Sequence, residues 1–472
     1  MKKLIPLCFL ALFTFVLQAQ IDSTELVFHW DDSTLVGSEA YDNTYNEVWG
    51  FVENEREYAV IGSTDGTHIF DLTNTENIYM ADYIPAGYQG VGVIHRDYHD
   101  YNGYLYVVCD EGVNFSTLQI IDLSSLPDSA TVVYDSNDLF ARSHNIFIDT
   151  ASALLYVAGG REFQGPGFFT RVYDLADPTN PQFVYEYPAR YVHDMYVRND
   201  TAFFNEGDEG MTILDFSDPA NPIVLATFED YSEFGQGYNH SGWLSEDGKT
   251  YYLCDETWSL PVKAIDVSDM SDLKVISTFS SDIDPLSIVH NPLIRGDYLF
   301  AGYYYDGLQV FDVSDPANPF KVRQYFTSNI AHNNSYEGAW GVYPNLPSGN
   351  IIVGDMQEGL FIIDVNLGLE PMMEDTTMVE DSTVMGIFDA QAFELKIAPN
   401  PATNVFNIEG LSDGEQVQMI NLYNQAGQLV WRKKVSNNYD KTIVRPEVSN
   451  GFYMIELVNN KGERYLGKIV FE

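Results

Sequence analysis

The sequence predicts an all-β protein, a seven-bladed β-propeller closed by its own N-terminal strand and followed by a small β-sandwich. Three observations predict it. A short apolar strand ending in Asp recurs seven times, each recurrence leaves room for about four strands, and the charge of the chain changes abruptly near residue 393.

Residues 1–19, MKKLIPLCFLALFTFVLQA, place a Lys pair before an apolar run that ends in a small residue. That is the pattern of a secretory signal peptide with cleavage after Ala19. No later apolar stretch is long enough to span a membrane, so no transmembrane segment is expected.

The repeats occupy residues 20–368. Their Asp-ending strands are THIFDL to Asp71, LQIIDL to Asp122, TRVYDL to Asp174, MTILDF to Asp215, VKAIDV to Asp266, LQVFDV to Asp312 and LFIIDV to Asp364, at intervals of 51, 52, 41, 51, 46 and 52 residues. A further strand precedes each, as in YLYVVC, TYYLC and NIIVGD. Three of the seven run into the turns DPTNP at Asp177 and DPANP at Asp218 and Asp315. Asp-Gly or Glu-Gly at Asp65, Glu209, Asp306 and Glu358 suits tight hairpins. The seventh unit stops at Gly368 without an outer strand, whereas TELVFHWDD near the mature N-terminus is an outer-type strand without a blade. Pairing the two would close the ring and remove the exposed sheet edges.

The strands LQIID, LQVFD and LFIID with their SDPANP turns resemble the LVIVD repeat, and residues 21–368 as a whole resemble the secreted choice-of-anchor B proteins. That resemblance implies a propeller with a C-terminal anchoring signal and carries no established activity.

Residues 369–392 contain six acidic residues and no basic one and read as an extended linker. From Phe393 the chain becomes short alternating strands, the pattern of a β-sandwich over 393–472. This tail resembles the type A sorting domain of the type IX secretion system, through Pro399-Asn400-Pro401, through Gly451-Phe452-Tyr453 and through Gly467-Lys468-Ile469-Val470. The resemblance implies the type IX machinery as a partner and passage through the periplasm to the cell surface or beyond.

Composition narrows the function. The chain of 472 residues holds 24 Lys and Arg against 69 Asp and Glu, a net charge of −45. Bulk electrostatics therefore exclude a nucleic acid or an anionic membrane as partner. The tail holds nine basic and nine acidic residues, which leaves 13 basic against 60 acidic in residues 20–392. Only Cys109 and Cys254 survive processing, at equivalent strand ends three blades apart, so both are expected as free thiols.

Aligning the blades on their Asp-ending strands puts Trp49, His99, His144, His193, His240, His290 and Trp340 at one repeat position, the start of the innermost strand. These are the candidate channel-lining and ligand-binding residues. Hairpins holding Asp110, Glu206, Asp208, Asp255 and Asp355 should open on the same face. Imidazoles with carboxylates suit Zn²⁺, and carboxylates alone suit Ca²⁺, so the metal candidates are His99, His144, His193, His240 and His290 with those five acids. A repeat position can equally keep His for packing between blades. The carboxylates that end the repeated strands suit acceptance from turn amides. HRDYH sets His95 and His99 four apart, a spacing with meaning on a helix, but here a loop enters a strand. Tyr101, Tyr104, Tyr303, Tyr304 and Tyr305 could stack on sugars and are also ordinary strand residues. No GxSxG, P-loop, HExxH or full EF-hand loop occurs, so no catalytic residue is assigned.

The expected protein is a secreted or surface-displayed binding propeller whose extracellular ligand is a carbohydrate or a protein. The rival is a metal-dependent extracellular hydrolase or lyase built on the His-bearing face.

Overall fold

The computed structural model describes residues 24–332, 335–369 and, beyond 392, the strands of the C-terminal region with parts of their connections. The expected signal peptide and almost all of the expected linker lie outside the described residues. The chain divides into two compact units, the first ending at Glu374 and the second beginning at Asp375.

In the first unit seven antiparallel sheets of four strands form the blades of a propeller. Blade one runs Tyr45–Glu53, Arg56–Ser63, Gly66–Asp71 and Tyr79–Pro85 from the axis outward, and blades two to six repeat this order along the chain. Blade seven takes Ala339–Tyr343, Ile351–Asp355 and Gly359–Asp364 from the end of the unit and Glu25–Trp30 from its start. The N-terminal strand thus supplies the missing outer strand, paired from Glu25 opposite Asp364 to Trp30 opposite Leu360.

The Asp that ends each third strand has one local job. Asp71, Asp122, Asp174, Asp215, Asp266, Asp312 and Asp364 each accept the backbone N–H two residues on, at 2.6–3.0 Å. A side-chain oxygen replaces the next ladder partner, so the strand stops and turns there. The Glu-Gly and Asp-Gly turns work through the backbone instead. Gly210 and Gly307 have φ of +95° and +71°, and a Cβ on either would meet a carbonyl oxygen of the adjoining outer strand at 2.4 and 2.2 Å.

Each outer strand carries one extra residue, at the same place. Ala81, Val133, Val184, Leu225, Ile276 and Val322 are skipped by the ladder to the third strand in blades one to six, and Val27 is skipped in blade seven. Such a bulge bends a strand and adds twist, which the outermost strand of a propeller blade requires. Burial falls along the same direction. Inner and middle strands are almost wholly buried, as in Thr250–Asp255, where every residue is buried, while the outer Ile223–Phe228 is largely exposed.

Cys109 and Cys254 are free and buried. Two buried cationic side chains are fully partnered. The Arg96 guanidinium donates to the carbonyls of Ser63, Thr64 and Tyr88, and Lys263 pairs with Asp255, both side chains fully buried.

The second unit is a sandwich of a five-stranded and a three-stranded sheet around Phe406, Ile420, Leu422, Ile455, Leu457, Ile469 and Phe471. Asn400 lies beside its last strand, where its amide donates to the carbonyl of Lys468 and accepts from the N–H of Val470, both at 2.8 Å. Gly451 begins the strand Gly451–Asn459, and Tyr453 is buried against Phe471. Pro399 and Pro401 lie outside the described residues.

Candidate functional site

Residues at the starts of the innermost strands meet around the axis, and strand alternation decides which side chains face the channel below them. The result is three tiers.

The first tier is a closed wheel of six rings. His95, His144, His193, His240, His290 and Trp340 follow one another with centroid separations of 4.6, 4.1, 4.5, 4.5 and 4.4 Å, and Trp340 returns to His95 at 5.5 Å. Blade one contributes no ring, since Asn46 stands at that position and its amide is turned to the carbonyl of Ile94.

This corrects the sequence alignment at two blades. His99 and Trp49 are not in the wheel. They stack on each other at 4.6 Å two strand positions beyond the acids Asp97 and Glu47, and His95 takes the place expected of His99. In blade two one extra residue accounts for part of the slip. In blades three to six the wheel histidine directly precedes the second-tier residue, whereas in blade two Arg96 intervenes between His95 and Asp97 and turns its side chain outward into carbonyls.

The second tier is polar and buried. Glu47, Asp97, Asn145, Asp194, Ser241 and Asn291 line a cavity of about 60 Å³. Burial raises the Glu47 carboxyl to about 7 against the donors Val48 N–H and the Asn291 amide, and burial raises Asp194 to about 7 as well. Asp97 is pushed well above the usual carboxylate range by burial and then by the charge of Glu47. The third tier closes the channel with aromatic side chains: Trp49, His99, Phe147, Tyr196 and Trp243 touch in sequence at 4.6–5.4 Å, and Tyr343 lies 4.9 Å from Trp49.

Above the wheel the channel opens into a pocket of about 510 Å³. Its walls are Tyr41, Tyr238, Trp258, Tyr304, Tyr336 and Trp340, and it reaches His193 and Glu256. Tyr304 holds φ of +40°, a costly conformation for a bulky residue, and its hydroxyl donates to Glu256. Strain of this kind is kept where the surroundings fix a side chain in one place. Burial raises the Glu256 carboxyl to about 7.

The expected acids separate by role. Asp110 joins the wheel, where its carboxylate holds His144 Nδ1 at 2.8 Å and Arg142 at 2.7 Å. Glu206 accepts from Tyr187 and Thr212 at 2.8 Å, Asp255 is taken by Lys263 and Tyr231, and Asp355 by Thr327 and the N–H groups of Gln357 and Glu358. Asp208 is exposed. Those three buried carboxylates are spent on partners within and between neighbouring blades, so the expected cluster of five acids around the histidines does not form.

His95, Glu256, Tyr238, Trp258 and Tyr336 were missed. Glu256 adjoins the named Asp255, and a period of two backward from Trp49 and His99 reaches Glu47 and Asp97, so part of the signal lay in the alternation.

Four of the five wheel imidazoles are pushed toward the neutral form. Burial and then the neighbouring imidazoles push His95, His193 and His240 well below the usual histidine value, and burial takes His290 to about 3. At His144 burial acts downward too, but the Asp110 carboxylate outweighs it and raises the value. Neutral imidazoles present lone pairs, the form that metals bind. The ligand atoms of His144, His193 and His240 lie within 4.8 Å of one another, as do those of His240, Glu256 and His290.

Comparison with known proteins places two features. Residues 189–230 and 291–327 match the LVIVD repeat, and residues 396–472 match the secretion system C-terminal sorting domain. No curated protein matches the chain. Among solved structures, U3-55K is similar over 71% of this chain and all of its own at 10% identity and a TM-score of 0.47. A protein from Lactobacillus plantarum is similar over 66% of this chain and 88% of its own at 13% identity and the same TM-score. Among the described residues no helix is long and apolar enough to cross a membrane.

Proposed function

From a propeller with LVIVD repeats and a secretion sorting tail, we propose a secreted or surface-displayed binding protein. It is exported by the type IX system by way of the periplasm, and it takes its ligand in the aromatic pocket above the histidine wheel. The observation that carries this reading is the pocket wall: six Tyr and Trp rings converge on one opening with a carboxyl, Glu256, and an imidazole, His193, at its base. Such a wall favours a carbohydrate, whose C–H face stacks on aromatic rings while its hydroxyls meet the polar base.

A glycan array followed by calorimetry on the whole chain tests this. Trp258→Ala combined with Tyr336→Ala should weaken the selected glycan about 10-fold or more, the scale of two lost stacking contacts. Equal affinity in wild type and double variant removes the pocket from recognition. Turnover of the glycan that a chelator abolishes would replace this reading with the metal-dependent hydrolase or lyase.

A further inference from the structure

We infer that His144, His193 and His240 hold one transition-metal ion of the Zn²⁺ class where the histidine wheel meets the pocket. The inference deepens the ligand-binding reading of that face, since the ion would supply the pocket with a coordinating centre.

The geometry begins with two nitrogens that face each other. His144 Nε2 and His193 Nε2 are 3.0 Å apart, and the third imidazole brings all three ligand atoms within 4.8 Å. On a tetrahedral zinc with Zn–N of about 2.0–2.1 Å, two nitrogens stand about 3.3 Å apart. The pair therefore needs only a few tenths of an ångström to admit an ion.

The rear nitrogens of His144 and His193 are held. His144 Nδ1 donates to Asp110 Oδ2 at 2.8 Å, and Asp110 is itself fixed by Arg142. His193 Nδ1 lies 3.0 Å from the Tyr238 hydroxyl. The carboxylate behind His144 fixes its tautomer, and together with the hydroxyl behind His193 it aims both Nε2 atoms forward, the usual support of a metal-bound histidine. A shared proton could satisfy the facing pair in place of an ion. It could not serve three imidazoles, and His240 Nδ1 is buried without a hydrogen-bond partner.

The donor set selects the ion. Three imidazole nitrogens, with the Glu256 carboxylate 3.8 Å from His240 Nε2, suit zinc and its neighbours in the first transition row. Calcium prefers six to eight oxygens, and the acids that might have supplied them are committed elsewhere. His193 and Glu256 also line the pocket, so a fourth position faces it. A ligand with a donor oxygen and a flat apolar face would fill both.

The test uses the whole chain, purified without a metal-affinity step and stripped with chelator. Titration with Co²⁺ should give one equivalent and a visible ligand-field absorption, and Zn²⁺ should displace it one for one. His193→Ala and His240→Ala should each abolish the absorption. Asp110→Asn, which keeps every imidazole, should weaken binding about 10–100-fold, the usual effect of losing an orienting partner. The exposed His29→Ala should change nothing. If a histidine variant does not fold by circular dichroism, Asp110→Asn decides. Folded wild type with no stoichiometric metal, or undiminished affinity in Asp110→Asn and in a folded histidine variant, overturns the inference. Glycan binding measured on the stripped chain reports on the pocket separately, so either reading can fail without the other.

Discussion

Asp255 illustrates how a buried carboxylate is spent on folding. With Lys263 it forms a fully enclosed ion pair, and the Tyr231 hydroxyl takes its other oxygen at 2.8 Å. Asp255→Ala leaves the ammonium buried without a counter-charge, and urea unfolding should register a loss of about 3–5 kcal/mol. Glu47 makes the opposite case, a carboxyl kept neutral. Its folded value of about 7 stands above its unfolded one of about 4.5, so between those pH values the folded state holds a proton that the unfolded state has lost. Stability from this group is complete below about pH 4.5 and is lost as pH rises through 7, about 3 kcal/mol in all. Glu47→Gln should flatten the pH dependence of unfolding by that amount over that window, and a slope like the wild type's would contradict the assignment. Some of this scale was legible in the sequence. The seven strand-ending Asp residues could be given their turn-forming role because each acts only two residues away. The wheel could not be read in full, because Arg96 displaces His95 by one position and a strand cannot announce such a slip.

At the scale of the strand, the bulge is the informative feature. All seven outer strands skip one residue against the third strand, and Val27 does so in the N-terminal strand as Val133 or Leu225 does in its own blade. The N-terminal strand is therefore built as a fourth strand rather than added as a latch. Removing Thr24–Asp32 strips blade seven of its outer strand and opens the ring. Thermal unfolding should move sharply downward, and an unchanged midpoint would show that closure contributes little. Strand number and order followed from apolar periodicity and the Asp-Gly and Glu-Gly turns. The bulges did not, since a skipped residue alters register without altering composition.

For the whole molecule, charge divides along the chain: residues 20–392 hold 13 basic against 60 acidic residues, and residues 393–472 are balanced. A chain ending at Leu369 should fold with the thermal midpoint of the propeller and, in a host that uses the type IX system, should stay off the cell surface. Normal display of that shortened chain would refute the sorting role of residues 396–472. Cys109 and Cys254 sit three blades apart, so thiol titration of the denatured, unreduced protein should return two per chain, and a value near zero would show a pairing that the ring forbids. The propeller was legible at this scale because repetition multiplies a weak signal seven times. The pocket was not, because its walls come from non-repeated residues such as Tyr41, Trp258 and Tyr336 that only the closed ring gathers.

The strand that completes blade seven is made before the rest of its own blade, yet Glu25 finds Asp364 only after more than three hundred further residues exist. Until then the nascent chain carries an outer strand with no ladder, and six finished blades cannot substitute for the seventh. Bringing such distant segments together carries a loop-closure cost, and closure of the ring requires the full repeat array. A chain broken off early therefore keeps an open edge that chaperones and proteases can recognise, whereas a complete one hides it. The seam thereby serves as a test of length, passed only when translation of the array has finished.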